Sequence, residues 1–246
     1  SETHEGPRAL TRNASPSGIL IVDKPAGITS HDVVDRIRRI FRTKRVGHTG
    51  TLDPDATGVL VLCLGNATRL AEYLSAASKH YVAEFVFGIR TDTMDASGTV
   101  VAEQASSHLT EEAVLALLPA FQGKILQIPP MVSAVKKNGV PLYKLARKGL
   151  EVPREPRLIH VYTFVFSSYQ EPVGWFRIAC TKGTYVRSIA HDLGQKLGCG
   201  AHLATLRRGT SGKVDVSDAM TFEDVLKLTS AGLEQRIIPF LTLARA

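Results

Sequence analysis

Cysteine is scarce in this chain of 246 residues. There are three, Cys63, Cys180 and Cys199, odd in number and far apart. That excludes a disulfide framework and a C-x-x-C metal knuckle, and the three read as reduced thiols of a cytoplasmic protein. Long apolar runs are also missing. None exceeds the six residues from Val59 to Leu64, against the roughly 18 that a membrane helix requires, so no membrane partner is expected. Residues Ser1–Ser17 lack the apolar segment of a secretion signal and carry Glu2, Glu5, Arg8 and Arg12, which predicts a disordered leader over 1–17. No internal repeat or low-complexity linker divides the rest.

What is present is a globular composition, 44% hydrophobic and 22% charged. It suffices for one large domain or two ordinary ones. Thirty Lys and Arg stand against 23 Asp and Glu, a net charge of +7. The pI of about 9.4 favours a polyanionic partner such as nucleic acid.

Gly18–Val22 reads as a strand running into a turn at Asp23-Lys24-Pro25. From a Ser30 cap, Val33, Val34, Ile37, Ile40 and Phe41 recur at helical spacing, with Arg36, Arg38 and Arg39 opposite. Residues 43–57 turn to Gly, Thr, Asp and Pro, the mark of a long functional loop. Strands are predicted over 59–64, 81–87, 125–128, 161–168 and 175–181, and helices over 67–77, 111–121, 142–148 and 186–197. The helices are too irregularly placed for a doubly wound sheet. The predicted class is therefore α+β with a mixed, largely antiparallel central sheet flanked by helices.

The sharpest motif is Gly47-His-Thr-Gly-Thr-Leu-Asp-Pro-Asp-Ala-Thr-Gly58. Its glycines permit positive φ or close backbone approach, and Pro54 stiffens the chain directly after Asp53. The outcome is either a carboxylate displayed on a rigid loop or an Asp-Pro turn whose carboxylate satisfies nearby amides. Two basic runs stand out as well. Arg36, Arg38, Arg39, Arg42, Lys44 and Arg45 occur without an acidic residue between them. Lys136–Arg157 holds seven basic and two acidic residues.

The loop resembles the catalytic loop of the TruB family of tRNA pseudouridine synthases. The resemblance extends over Leu20-Ile-Val-Asp-Lys-Pro-Ala-Gly27, Lys79-His-Tyr81, Arg90-Thr-Asp-Thr-Met-Asp95, Ile128-Pro-Pro-Met-Val-Ser-Ala134, Lys182-Gly-Thr-Tyr-Val-Arg187 and Leu197-Gly-Cys-Gly-Ala-His202. In order and spacing these motifs cover Gly18 to about Gly212. The resemblance implies a pseudouridine synthase fold over 18–246 with a basic, RNA-clamping insertion at about 127–157, mobile without RNA. It implies isomerisation of the T-loop uridine of tRNA, position 55, with no cofactor and no metal. Asp53 would be the covalent nucleophile, and attack at C1′ or at C6 both fit. A hydrolytic glycosidase would instead need two carboxylates and an admitted water, and Asp55 is taken as a solvated loop residue.

By the same resemblance, Arg187 lies against Asp53 and keeps it ionised, as a fixed guanidinium does by lowering a carboxylate pKa. Tyr185 lines the uracil pocket. Tyr81 stacks on the flipped base and helps remove the C5 proton. His48 fills the space that the base vacates, Leu206 closes over the uracil, Lys24 buttresses the site walls and Asp95 pairs with a basic neighbour. Arg69 is implied as a substrate-binding residue, standing where many members carry lysine. Many members also continue into a small C-terminal RNA-binding PUA domain, for which only Thr221–Leu243 remains after the expected catalytic core. A monomer is expected for want of an oligomerisation signal. Two rival readings stand beside this one: an RNA-binding or RNA-folding module in which Asp53 is structural, and a guide-RNA-dependent synthase with partner proteins.

Overall fold

The computed structural model describes residues 15–244. The expected leader falls largely on 1–14, outside the described residues; Ser17 is described, and its hydroxyl accepts from the Asn66 amide. The strands are β1 (Gly18–Lys24), β2 (Val46–His48), β3 (Thr57–Leu64), β4 (Lys79–Phe87), β5 (Ile89–Thr91), β6 (Val100–Glu103), β7 (Gly123–Gln127), β8 (Lys136–Lys137), β9 (Val140–Pro141), β10 (Arg157–Gln170), β11 (Val173–Cys180), β12 (Ala201–Ser211), β13 (Val214–Asp215) and β14 (Met220–Thr221). The helices are α1 (Ser30–Phe41), α2 (Ala71–Ser75), α3 (Glu111–Leu117), α4 (Leu142–Arg147), α5 (Val186–Leu197), α6 (Phe222–Lys227), α7 (Ser230–Glu234) and α8 (Phe240–Ala244). One mixed sheet in the order β14-β1-β3-β12-β4-β11-β10-β7 organises them, with β2 on β3 and β13 on β12. The expected α+β class is the observed one.

The strongest local signals become elements with little change. In α1 the apolar positions Val33, Val34 and Ile37 are buried against Leu20, Leu60 and Leu62. Its cap is Thr29, one residue before the expected Ser30, because Thr29 and Asp32 form a reciprocal capping box. That shift frees Ser30 for another task. The single helix expected over 67–77 divides into a 3₁₀ turn, Gly65–Leu70, and α2. The helix expected over 111–121 tightens to 3₁₀ where Pro119 cannot donate.

Two regions depart further from expectation. The loop expected over 43–57 contains β2, paired to β3 from Val46↔Leu64 to His48↔Leu62. β12 was not predicted at all, yet it lies in the middle of the sheet, antiparallel to β4 and parallel to β3 at Arg207↔Thr57 and Arg208↔Gly58. Bulges at Leu203/Thr205 and Arg208/Thr210 interrupt the period-2 alternation by which a strand is read.

The two halves of the sheet are covered differently. β1 and β3 are buried on both faces, by α1, α6 and α7 on one side and by the 3₁₀ turn and α8 on the other. Residues 221–243 are thus not a remnant after the core; Val225 and Leu233 are fully buried within it. β4, β11 and β10 pack one face on α3 and α5 around Phe85, Phe164 and Phe176. Between β7 and β10 the chain makes an excursion, β8, β9 and α4, whose hairpin is separate from the main sheet.

Candidate active site

The loop between β2 and β3 is fixed by its own carbonyls. Five in succession are bound. Gly50 O accepts from Arg208 Nη2 at 3.0 Å and Thr51 O from Arg208 Nη1 at 3.4 Å. Leu52 O accepts from the Ser30 hydroxyl at 3.0 Å, and that hydroxyl in turn accepts from the Leu52 amide at 2.9 Å. Asp53 O accepts from Ala56 N at 3.0 Å. Pro54 O accepts from Lys24 Nζ and from Gly27 N, both at 2.9 Å. Lys24, Ser30 and Arg208 are themselves 0, 2 and 2% exposed. Buried polar groups keep their place only when paired, so these three side chains and the loop lock one another.

At the tip of this frame the Asp53 carboxylate enters a cavity of about 270 Å³, shared with Lys79, Tyr81, Ser133, Tyr185, Leu206 and Arg208. Asp53 contributes the one carboxylate lining it among the described residues. The size is near the lower end of ligand pockets, suited to a single nucleoside. Arg187 stands over the carboxylate, Nε to Oδ2 at 3.3 Å. Its remaining nitrogens go to main-chain carbonyls, Nη2 to Val132 O at 2.6 Å and Nη1 to Thr93 O at 3.5 Å. It is therefore not the bidentate clamp that a guanidinium can form on a carboxylate.

The electrostatic balance also differs from expectation. Burial raises the Asp53 pKa above its ordinary value, with Arg187 opposing that rise and Asp95 adding to it. Desolvation of the charged form outweighs the cation beside it. Burial likewise lowers Lys24 to about 8, and Lys79 to about 8 with Arg208 assisting. The Tyr81 phenol is pushed up by burial, against the pull of Arg208.

The structure brings Asp53, Tyr81, Tyr185, Arg187 and Leu206 together at the cavity. Tyr185 precedes α5, its ring 5.5 Å from the Arg187 guanidinium carbon, and its amide and carbonyl are both bound by the buried Gln127 side chain. Lys24 sits behind the loop rather than in the cavity, donating also to Pro25 O and Ile28 O, each at 2.7 Å. His48 is half-buried outside the cavity lining, and its Nδ1 accepts from the Gly50 amide at 3.4 Å. Burial and Arg208 lower its pKa, which favours the neutral ring. Arg69 is exposed on the 3₁₀ turn, away from the lining.

Asp95 does not pair with a basic neighbour as expected. Its carboxylate accepts from Thr93 Oγ1 at 2.6 Å, Ser97 Oγ at 2.6 Å and Ser97 N at 3.0 Å, because its turn supplies donors closer than any cation. Asp55 is exposed. Sequence reasoning gave Ser30 only a helix cap and assigned no role in the site to Ser30, Lys79, Ser133 or Arg208. For Arg208 a signal existed: in a strand, adjacent arginines face opposite ways, and Arg207 turns outward to Asp23 at 2.8 Å while Arg208 turns inward.

Among the described residues, no group of His, Cys, Asp and Glu is arranged to hold a metal ion, and no helix is long and apolar enough to cross a membrane. Residues 38–186 match the family model described as TruB family pseudouridylate synthase (N terminal domain). Residues 187–242 match the tRNA pseudouridylate synthase B C-terminal domain. A tRNA pseudouridine synthase B of Opitutus terrae is 50% identical over 90% of this chain and 92% of its own length. One from Geotalea uraniireducens is 48% identical over 92% of this chain and 74% of its own. Among solved structures, a chain of "Crystal Structure of a Cbf5-Nop10-Gar1 Complex" superposes with a TM-score of 0.71 at 30% identity, over 92% of this chain. The present chain spans 60% of that chain's length. Family models matched over 38–186 and 187–242, together with relatives about half identical over nine-tenths of the chain, lead to one conclusion: this chain belongs to the TruB family of pseudouridine synthases.

Proposed function

We propose that the chain isomerises uridine to pseudouridine in the T-loop of tRNA, at position 55, with Asp53 as covalent nucleophile. The observation that carries this reading is that, among the described residues, Asp53 gives the cavity its one carboxylate. Hydrolysis of a glycosidic bond uses two carboxylates and a water; one carboxylate in a nucleoside-sized cavity suits a reaction that releases nothing. In it N1–C1′ breaks, C5–C1′ forms, C5 loses a proton and N1 gains one. Mass is unchanged. Attack by Asp53 at C1′ or at C6 leads to the same product.

The reactive nucleotide must leave its stack to reach Asp53. Tyr81 then supplies a face for the base and an oxygen toward the C5 proton, Tyr185 the opposite wall, and Leu206 an apolar cover. His48 occupies the place the base leaves, and Arg69 and Asp95 act at the margin of the substrate. Arg187 offsets the cost of an ionised Asp53 in this setting. The chain from Gly18 onward acts as one catalytic domain, with 127–157 as an RNA-clamping insertion that is mobile without RNA. Its exposed Lys136, Lys144, Arg147 and Lys148 suit phosphate contacts, whose hallmark is salt-sensitive affinity. The protein works as a monomer in the cytoplasm, a setting that suits its three free, buried cysteines.

The test is to incubate the native chain with an unmodified tRNA transcript and map pseudouridine by position. One equivalent at position 55 is expected. Intact binding with no pseudouridine anywhere would favour the RNA-binding module instead.

A further inference from the structure

We infer that Arg208 is the positioning residue that sets Asp53 for reaction, by tying the catalytic loop to the central strand of the sheet. This rests on the isomerase reading and adds to it a residue that never needs to touch RNA. Three of the guanidinium's donors are used on main-chain carbonyls from two elements: Nε to Val59 O at 2.8 Å on β3, Nη2 to Gly50 O at 3.0 Å and Nη1 to Thr51 O at 3.4 Å on the loop. The side chain is 2% exposed. A guanidinium that is buried and directed at carbonyls has little left for a phosphate, and its planar fork fixes the directions of the atoms it binds.

Its own backbone is equally constrained. β12 runs beside β3 at Arg208↔Gly58, so close that a Cβ on Gly58 would stand 2.1 Å from Arg208 O. Across β4 its partner in register is Tyr81, on whose phenol its charge acts against the effect of burial. Arg208 is thus joined to three things the reaction needs in register: the loop two residues before Asp53, the start of β3 after it, and Tyr81. Lys24 and Ser30 hold the other side of the loop, from Leu52 to Pro54. Without Arg208 the carbonyls of Gly50 and Thr51 would have to find water, and the loop would pivot on the Ser30 and Lys24 contacts.

The experiment compares native chain, Arg208→Gln and Arg208→Lys in two ways. Amide exchange is followed across residues 50–56 without RNA, and kcat and KM are measured on unmodified tRNA. For Arg208→Gln, loop exchange at least about tenfold faster is expected with α5 unchanged. A kcat lower by about 100-fold is expected with KM within about threefold, the scale of effect that a displacement near 1 Å produces. Arg208→Lys should recover part of the kcat, since an ammonium can also bind two carbonyls, as Lys79 does with Ser75 O and Ala77 O. If the Gln variant fails to fold, the Lys variant carries the comparison, with an intermediate loss of kcat expected. Unchanged loop exchange and kcat would overturn the inference, as would a KM raised more than tenfold at native kcat, the mark of a direct RNA contact. Absence of turnover by the native chain would instead refute the isomerase reading, while the exchange arm still decides the role of Arg208.

Discussion

The two sides of the cavity are built on opposite principles. On one side, loop 50–54 has every carbonyl bound, and the side chains that bind them are buried. On the other, the excursion 128–156 is a two-residue hairpin, a helix of six residues and coil. Arg154 to Pro129 O at 3.1 Å and Lys137 to Pro153 O hold it to itself, and Arg187 to Val132 O joins it to α5. Positioning demands a frame with no alternative arrangement, whereas holding a long polyanion demands charge that can adapt. On the proposed function, the difference teaches that rate and affinity belong to different segments of this chain and are separable by mutation.

The largest separation is expected at Arg187, which reaches both sides, Asp53 and Val132 O. Arg187→Gln should lower kcat by about 1,000-fold, the upper range for loss of one preorganised charge partner. It should also move the acid limb of the kcat profile to higher pH, since Asp53 would lose the group that opposes its raised pKa. A limb that stays in place would show that Arg187 does not govern the ionisation of Asp53.

Next is the frame itself. Lys24→Met would leave three main-chain carbonyls without their buried donor and should destabilise the protein by about 3 kcal/mol. Thermal unfolding checks this, and a change under about 1 kcal/mol would mean that water replaces the ammonium. On the adaptable side, changing Lys144, Arg147 and Lys148 together to Gln should raise KM about tenfold and flatten the salt dependence of binding by about 2 in slope, with kcat within about twofold. A comparable fall in kcat would erase the distinction between the two sides.

The smallest effect concerns stability at Asp53. Its pKa is raised in the fold, so the ionised form costs the folded state. That cost is fully present above the folded pKa and disappears as pH falls through the unfolded value near 4. Asp53→Asn should therefore raise Tm at pH 7 and lose the advantage near pH 4, which paired melting curves at the two pH values would reveal.

The sequence was informative where one element carries its own pattern. α1 shows its apolar stripe at Val33, Val34 and Ile37, and α5 runs from Val186 to Leu197 with the predicted limits. The rigid turn around Asp53 was legible as well, since Pro54 and the glycines announce it, whereas the chemistry expected of it came from the resemblance to the TruB family and not from the turn itself. How the rigidity is achieved was not. Ser30 reads locally as a helix cap, Lys24 as a turn residue and Arg208 as one of two adjacent charges; their tasks exist only once β1, α1 and β12 meet the loop. β12 itself escaped because two bulges break its alternation. The Asp53 pKa escaped because desolvation is a property of the assembled cavity.

The most direct measurement is tritium release from C5-labelled uridine in an unmodified tRNA transcript, at saturating RNA, for native chain and Asp53→Asn. The expected result is stoichiometric release by the native chain and none by the variant, with equal tRNA binding by both. Release that persists in Asp53→Asn would contradict the assignment of Asp53 as the nucleophile.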